Sequence, residues 1–216
     1  MNIEINVPTS LNEITLGQYQ KFLKVAEENQ EGSFLNAKMI EIFCGIPLSD
    51  SYKLKMSSVE AIVDILTEML NETPTHIDKF SLNGTQYGFI PDLDEMSLGE
   101  YVDLDGNASD WQKMHIAMNV LYRPIVTSKV GKYNIEEYTA SDSDKMKAMP
   151  LGAAIGSLFF FYNLGMELSK HTILSSNLEE VEEFQEQLTS ETNGVGINQF
   201  MVSLTEILQD LKISLN

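Results

Sequence analysis

Residues 7–19 read V-P-T-S-L-N-E-I-T-L-G-Q-Y, and residues 90–101 read I-P-D-L-D-E-M-S-L-G-E-Y. With one deletion, the two stretches align as apolar, Pro, Leu, Asn/Asp, Glu, apolar, Thr/Ser, Leu, Gly, Gln/Glu and Tyr. Internal similarity of this kind indicates a duplicated unit. The alternative is convergence on one helix-start signal, and superposing the two halves of a structure would discriminate between them.

Each copy carries the signature of a capped helix. Thr15 and Ser97 suit the N-cap position, and Gln18 and Glu100 follow at the spacing of a capping box. A proline before each cap ends a short predicted strand. The first turn of each helix also holds a glycine, which lets another backbone approach closely, followed by a tyrosine: Gly17 and Tyr19, Gly99 and Tyr101.

The similarity extends more faintly into a larger unit. In both halves a second apolar helix, at 34–44 or 111–122, precedes a helix that opens with Met56 or Met149. This arrangement predicts three parts: a first unit over 1–75, a second over 76–172 with an inserted hairpin, and a helical tail over 173–216 packed on the same core.

Hydrophobic periodicity predicts the remaining elements. Alternation predicts a strand over 2–7, and Asn83-Gly84 between two apolar runs is a strong hairpin signal. Residues 126–129 and 133–138, around Gly131, indicate a weaker second hairpin. Helical spacing predicts helices at 59–70, 178–188 and 198–213. The expected fold class is α+β, predominantly α-helical, with small antiparallel hairpins and a C-terminal pair of helices.

The composition excludes several functions. The 216 residues include 32 Asp and Glu against 14 Lys and Arg, a formal charge of −18, which nucleic-acid phosphates and anionic membranes would repel. The only arginine, Arg123, further disfavours phosphate recognition. A single cysteine, Cys44, cannot form an intrachain disulfide. The first residues lack a basic region and a long apolar core, so no secretory signal is expected.

The uncharged stretch 148–166 tests for a membrane span. It has the threshold length and the small-residue spacing Gly152-xxx-Gly156 of packed membrane helices. However, Pro150, Ser157 and Asn163 dilute its apolar character, and few basic residues flank it. A helix buried on most sides within a core has the same pattern, and this is the interpretation that we favour.

No catalytic signature is present in the sequence. His76, His115 and His171 lie far apart, without a second ligand at metal-binding spacing. Cys44 lies in an apolar context typical of a core residue. Nucleophile-elbow, phosphate-loop and dinucleotide motifs are absent. We therefore predict a protein that is not an enzyme and has no cofactor or metal.

The acidic stretch 103–110, D-L-D-G-N-A-S-D, begins like a calcium loop. The match then fails, because the sixth position is Ala108 instead of glycine and the twelfth is Met114 instead of glutamate. A solvated loop that supplies Ser109 or Asp110 as the next N-cap explains the stretch better. A metal-dependent enzyme would rest on this stretch alone and is the weakest hypothesis.

Two strings resemble proteins from the virion and tail-assembly genes of tailed bacteriophages: F-I-P-D-L-D-E-M-S-L-G-E-Y-V-D-L-D and W-Q-K-M-H-I-A-M-N-V-L-Y-R-P-I. Tail assembly chaperones are similar in outline, being small, acidic and largely helical. The resemblance covers about residues 80–170. It implies a non-enzymatic protein that binds viral proteins of tail or tape-measure type, in the cytoplasm of the infected bacterium or in the virion. The doubled helix-start motif departs from a single-unit chaperone.

Apolar helix faces supply the candidate contact surfaces for such a partner. Core packing is the alternative for every member of the set: Leu98, Tyr101, Trp111, His115, Tyr122, Phe200, Leu204 and Leu208. A second hypothesis is an acidic DNA mimic that inhibits a host nucleic-acid-binding protein. Its carboxylates would follow the glutamates of 179–186, although an ordinary solvated helix face has the same pattern.

Overall fold

The first part of the chain is helical. The computed structural model describes residues 5–29, 32–129 and 131–175. The first helices are α1 (Leu16–Glu28), α2 (Ser33–Cys44), α3 (Leu48–Ser51) and α4 (Met56–Leu70). α2 ends at Gly45, whose left-handed backbone (φ 71°) is the conformation that a helix-terminating glycine adopts without strain.

The middle of the chain combines two helices with an antiparallel sheet. β1 (Lys79–Leu82) and β2 (Thr85–Phe89) form the predicted hairpin, whose turn residues Asn83 and Gly84 both have positive φ. The helices α5 (Leu98–Ala108) and α6 (Met114–Leu121) follow. α6 leads directly into β3 (Tyr122–Lys129), which pairs with β4 (Lys132–Ile135).

The two predicted hairpins form one four-stranded sheet in the order β1-β2-β3-β4. β2 pairs with β3 through Phe89 opposite Tyr122 and Gly88 opposite Arg123. Gly88 is needed there, because the ring of Tyr133 and the side chain of Ile125 occupy the space that a Cβ would take. The sheet joins the hairpin of β3 and β4 to the hairpin of β1 and β2.

α7 (Leu151–Ser175) follows a short 3-10 helix, Ser143–Ala148. Its residues 151–158 are buried, which confirms the interpretation of this stretch as a core helix. Two of its glycines allow close packing: Gly152 lies against Leu11 and Asn12, and Gly156 against the carbonyl group of Thr75. Within the described ranges, no helix has the length and apolar character that crossing a membrane would require.

The fold class is confirmed as α+β and mostly helical. One apolar core includes side chains from both halves, such as Leu16, Ile40, Met118 and Leu151. Both capped helices are present, but the duplication itself and the three-part division remain predictions. The predicted tail helices over 178–188 and 198–213 lie outside the described residues.

Three local predictions were wrong. Residues 5–7, the described part of the predicted strand over 2–7, are not in a strand. Residues 103–108 belong to α5 instead of a loop, because Leu104 and Ala108 are buried against the core. The helix predicted over 111–122 is shorter, since Trp111 lies in a turn and Tyr122 already begins β3.

Candidate functional site: the two helix-start motifs

Both capping boxes form as predicted. At α1, the Gln18 N–H donates to Thr15 Oγ1 (3.1 Å), and the Thr15 N–H donates to Gln18 Oε1 (2.8 Å). At α5, the Glu100 N–H donates to Ser97 Oγ (3.3 Å), and the Ser97 N–H donates to Glu100 Oε2 (2.7 Å). Each box pairs two backbone donors that a helix start otherwise leaves without partners.

The third residue of each helix also reaches the end of the helix that follows. Gln18 Nε2 donates to the Ile42 carbonyl oxygen (2.8 Å), close to the end of α2. In the second copy, Glu100 Oε1 accepts instead from Arg123 Nη2 (2.8 Å), just after α6. The two motifs therefore make the same connection, once with a neutral amide and once with an ion pair.

The Glu100–Arg123 pair is enclosed, with side-chain exposures of 9% and 11%. Burial alone would raise the pKa of Glu100. The hydrogen bonds from Ser97 and the charge and hydrogen bond of Arg123 outweigh it, and the pKa lies below its usual value. The only arginine of the chain thus has a structural partner.

The first motif is covered by the chain that leads into α7, a 3-10 helix over Ser143–Ala148 followed by Met149 and Pro150. Leu16 is 0% exposed, and its N–H donates to the Met149 carbonyl oxygen (3.0 Å). In the other direction, the Leu151 N–H donates to the Ile14 carbonyl oxygen (2.9 Å), so that Thr15 and Pro150 form an antiparallel bridge.

The close approach predicted at the two glycines is confirmed at Gly17 only. A Cβ there would lie 3.0 Å from the Lys147 carbonyl oxygen. At Gly99 the prediction was wrong, since among the described residues a Cβ would meet no atom within 4 Å. The two motifs are alike in sequence, but in the part of the chain that the structure describes another backbone packs on the first motif alone.

The second motif is open. Leu98 is 78% exposed and Val102, one turn further along α5, is 57% exposed. We call these two residues the α5 apolar face. Within the described ranges, the Leu98 N–H has no hydrogen-bond acceptor, although the matching N–H of Leu16 has one.

The α5 apolar face lies in a strongly acidic surrounding. Residues 91–112 contain no lysine or arginine, and they contain seven carboxylates: Asp92, Asp94, Glu95, Glu100, Asp103, Asp105 and Asp110. Asp92, Asp94 and Glu95 are exposed. Asp103 accepts a hydrogen bond from the hydroxyl group of Tyr138 (2.7 Å). In the described part of the chain, no group of three or more His, Cys, Asp or Glu side chains is arranged to hold a metal ion.

A second surface feature lies where α1 contacts the turn between α5 and α6. The rings of Tyr19 and Trp111 meet edge to face, with centroids 5.0 Å apart. Gln20 Nε2 donates to the Trp111 carbonyl oxygen (2.7 Å), and Gln112 Nε2 donates to the Gln20 carbonyl oxygen (3.0 Å). These bonds hold the two halves together beside a cavity of about 270 Å³ that Glu27 and Asp110 also line.

The candidate contact residues are placed very differently. Leu98 is on the surface, and Tyr101 and Trp111 are half-buried. His115 and Tyr122 are core residues: His115 lies beside Gln20 (Nδ1 to Nε2, 3.3 Å), and the Tyr122 hydroxyl group donates to the Ile77 carbonyl oxygen (2.7 Å). Phe200, Leu204, Leu208 and the glutamates of 179–186 lie outside the described residues.

No family model, curated protein or solved structure matches this chain. Its function therefore has to be argued from its own residues. Sequence reasoning named Leu98 but missed Val102 and the Glu100–Arg123 pair. Val102 could have been found from its position one turn after Leu98. Nothing in the sequence indicated that the lone arginine would be buried.

Proposed function

We propose that this chain is a non-enzymatic protein of tailed bacteriophages that binds other viral proteins, as a tail assembly chaperone or a virion-associated component. Its partners would be structural proteins of the tail or tape-measure type. The resemblance of residues 80–170 to proteins of that group supports the phage assignment. The exposed α5 apolar face supports the binding role and is the observation on which the proposal rests.

The comparison of Leu98 with Leu16 makes this exposure informative. Single exposed apolar residues are common on protein surfaces and need no explanation. Here the same motif buries its leucine completely in one copy and exposes it by 78% in the other. Val102 extends the exposed face by one helical turn, the spacing at which helix faces are recognised. A partner that covered this face would remove two aliphatic side chains from water.

The acidic surface fits the same role. A formal charge of −18 keeps a protein soluble while it holds an apolar segment of a partner. The charge also discourages association between copies of the chain, because like charges repel. The complex would be present in the cytoplasm of the infected bacterium or, for a structural component, in the virion.

A co-purification experiment tests the binding role. The tagged chain is expressed with each tail and tape-measure protein encoded in the same phage genome, and the complexes are quantified. We expect one of these proteins to co-purify, and Leu98→Asp to reduce its recovery. Met56→Asp is the matched control, since Met56 is 59% exposed on α4. Failure of all tail and tape-measure proteins to co-purify would overturn the proposal.

Mass spectrometry of purified virions separates the two forms of the proposal. A chaperone leaves before the particle is complete, so its peptides should be absent from virions but present in infected cells. A structural component should be found at a fixed number of copies per particle. A chain that is absent from both infected cells and virions would contradict both forms.

A further inference from the structure

We infer that the α5 apolar face receives an apolar-Pro-apolar segment of a partner protein, preceded by a helical turn that carries lysine or arginine and leading into a helix. The inference rests on the proposed function and specifies the chemistry of the partner. It follows from three features: the segment that covers the first motif, the exposure of Leu98 and Val102 at the second motif, and the acidic residues around them.

The first motif shows which kind of segment this surface accepts. Residues 145–151, K-M-K-A-M-P-L, cover α1 at Leu16. Met146, Met149 and Leu151 of that segment are fully buried, and Pro150 forms the bridge with Thr15. Two backbone hydrogen bonds fix its register, and α7 begins immediately afterwards. The segment therefore runs from the end of a 3-10 helix (Ser143–Ala148) through the extended residues Met149 and Pro150 into α7. It is apolar around the proline and carries two lysines on its N-terminal side.

The second motif has the features that hold this segment at the first motif. Met96, Ser97 and Leu98 align with Ile14, Thr15 and Leu16. The Leu98 N–H is available for the bond that the Leu16 N–H makes with Met149. Gly99 leaves open the space that the backbone of Lys147 occupies at Gly17. A segment that bound in the same register would also cover the Leu98 side chain.

Charge decides among the possible occupants. The acidic residues of 91–112 favour a segment that carries lysine or arginine. The tail over 176–216 has one lysine, Lys212, against eight carboxylates, and would be repelled: Glu179, Glu180, Glu182, Glu183, Glu186, Glu191, Glu206 and Asp210. A second copy is disfavoured too, because each copy has a charge of −18 and uses its own 145–151 segment at the first motif. The occupant is therefore a different protein.

The lysines of the internal segment have other partners in this chain. Lys147 Nζ lies 2.7 Å from Asp144 Oδ1, and Lys145 Nζ lies 3.9 Å from Asp142 Oδ2. A partner segment without those aspartates could instead direct its cations to the exposed carboxylates Asp94 and Glu95 beside the α5 apolar face. Binding should then weaken as salt screens the attraction.

A peptide with the sequence of the internal segment is a direct probe. A fluorescent, N-acetylated K-M-K-A-M-P-L-G-A peptide, the sequence of residues 145–153, is titrated with the full chain at low and high salt. We expect saturable binding that weakens with salt, and at least about a tenfold loss of affinity in Leu98→Asp. Met56→Asp should bind as the wild type does. A peptide with glutamate in place of both lysines should bind at least about tenfold more weakly.

A crosslink identifies the surface that is occupied. A photoreactive benzoylphenylalanine is incorporated at position 102 of the full chain, and the crosslinked products are mapped by mass spectrometry. We expect a crosslink to the peptide. Crosslinks from position 102 to residues 176–216 of the same chain, or to a second copy, would overturn the inference and identify the tail or the dimer as the occupant.

The titration can also contradict the inference by itself. Equal binding to the wild type and Leu98→Asp, or no saturable binding at low salt, would sink it. If a viral protein still co-purifies through Leu98 in that case, the proposed function stands and only the chemistry assigned to the partner is wrong. If neither the peptide nor any viral protein binds, both fail.

Discussion

The helices α1 and α5 begin with closely similar sequences but lie in different surroundings. Both have a complete capping box followed by Leu-Gly and a tyrosine. Leu16 is covered by the segment before α7, whereas Leu98 faces solvent. The Gln18 amide donates to the Ile42 carbonyl oxygen, whereas Glu100 forms a buried ion pair with Arg123. The local conformation is thus common to both copies, and the surroundings differ.

The difference shows that local sequence sets the helix start and tertiary contacts set the role of the motif. In the first motif the leucine is buried in the core of this chain. The second keeps an equivalent surface available, while its ion pair fixes α5 to the residues after α6. The substitutions below compare matched positions in the two copies, so that each test contains its own control.

The largest difference is expected at the third helical position. Glu100→Ala leaves the Arg123 guanidinium buried without its carboxylate, which should cost about 3–5 kcal/mol of the free energy of unfolding. Gln18→Ala removes the hydrogen bonds that the Gln18 side chain makes with the Ile42 carbonyl oxygen and the Thr15 N–H, and it should cost about 1–2 kcal/mol. Urea denaturation followed by circular dichroism measures both. Equal costs would contradict the structural role of the ion pair.

Substitutions of the two leucines should differ nearly as much in their effect on the free energy of unfolding. Leu16→Ala creates a cavity in the core and should lower the free energy of unfolding by about 2–5 kcal/mol. Leu98→Ala should change it by no more than about 0.5 kcal/mol, because its side chain is exposed. The same denaturation experiment applies. A cost above about 2 kcal/mol for Leu98→Ala would mean that another part of the chain covers the α5 apolar face.

Alanine substitutions of the two glycines should change the free energy of unfolding in opposite directions. Gly17→Ala brings a methyl group to 3.0 Å from the Lys147 carbonyl oxygen and should destabilise the protein by about 1–3 kcal/mol. Gly99→Ala meets no described neighbour within 4 Å and should stabilise the protein by about 0.4–1 kcal/mol, since alanine restricts the unfolded chain. Thermal denaturation gives both signs, and a destabilising Gly99→Ala would show that this site is not open.

The sequence predicted what depends on neighbours along the chain. Thr15 and Gln18, or Ser97 and Glu100, lie within one helical turn, so the residue types alone define the capping box. Asn83-Gly84 likewise specifies its tight turn, because both residues tolerate positive φ. The apolar Gly152-xxx-Gly156 stretch was correctly interpreted as a core helix, since its small residues fit close backbone contacts.

What the sequence did not predict depends on distant residues. Residues 103–108, which include Gly106 and Asn107, have the composition of a loop, yet burial of Leu104 and Ala108 makes them helical. Tyr122 continues an apolar helical pattern, but pairing with Phe89 places it in a strand. The exposure of Leu98 could not be predicted, because a closely similar motif buries Leu16. Among the described residues, the 145–151 segment covers Leu16 and leaves Leu98 exposed.

The smallest expected effect is on the dependence of stability on pH. The pKa of Glu100 is lowered in the folded chain from its ordinary value of 4.5, so the folded state favours the carboxylate more than the unfolded state does. The stabilisation from this group is therefore complete above pH 4.5 and is lost as the pH falls through the folded-state pKa. Glu100→Gln removes this contribution, and Gln18 has no such group in the first copy.

The free energy of unfolding, measured by urea denaturation from neutral to acidic pH, should fall less steeply in Glu100→Gln than in the wild type. Asp144, whose pKa is also lowered, by its hydrogen bond and ion pair with Lys147, titrates in both proteins and does not affect the difference. Gln18→Ala is the control and should keep the wild-type slope. Parallel curves for the wild type and Glu100→Gln would show that the Arg123 pair does not favour the ionised carboxylate. The charged and neutral versions of the motif would then be equivalent in their response to acid.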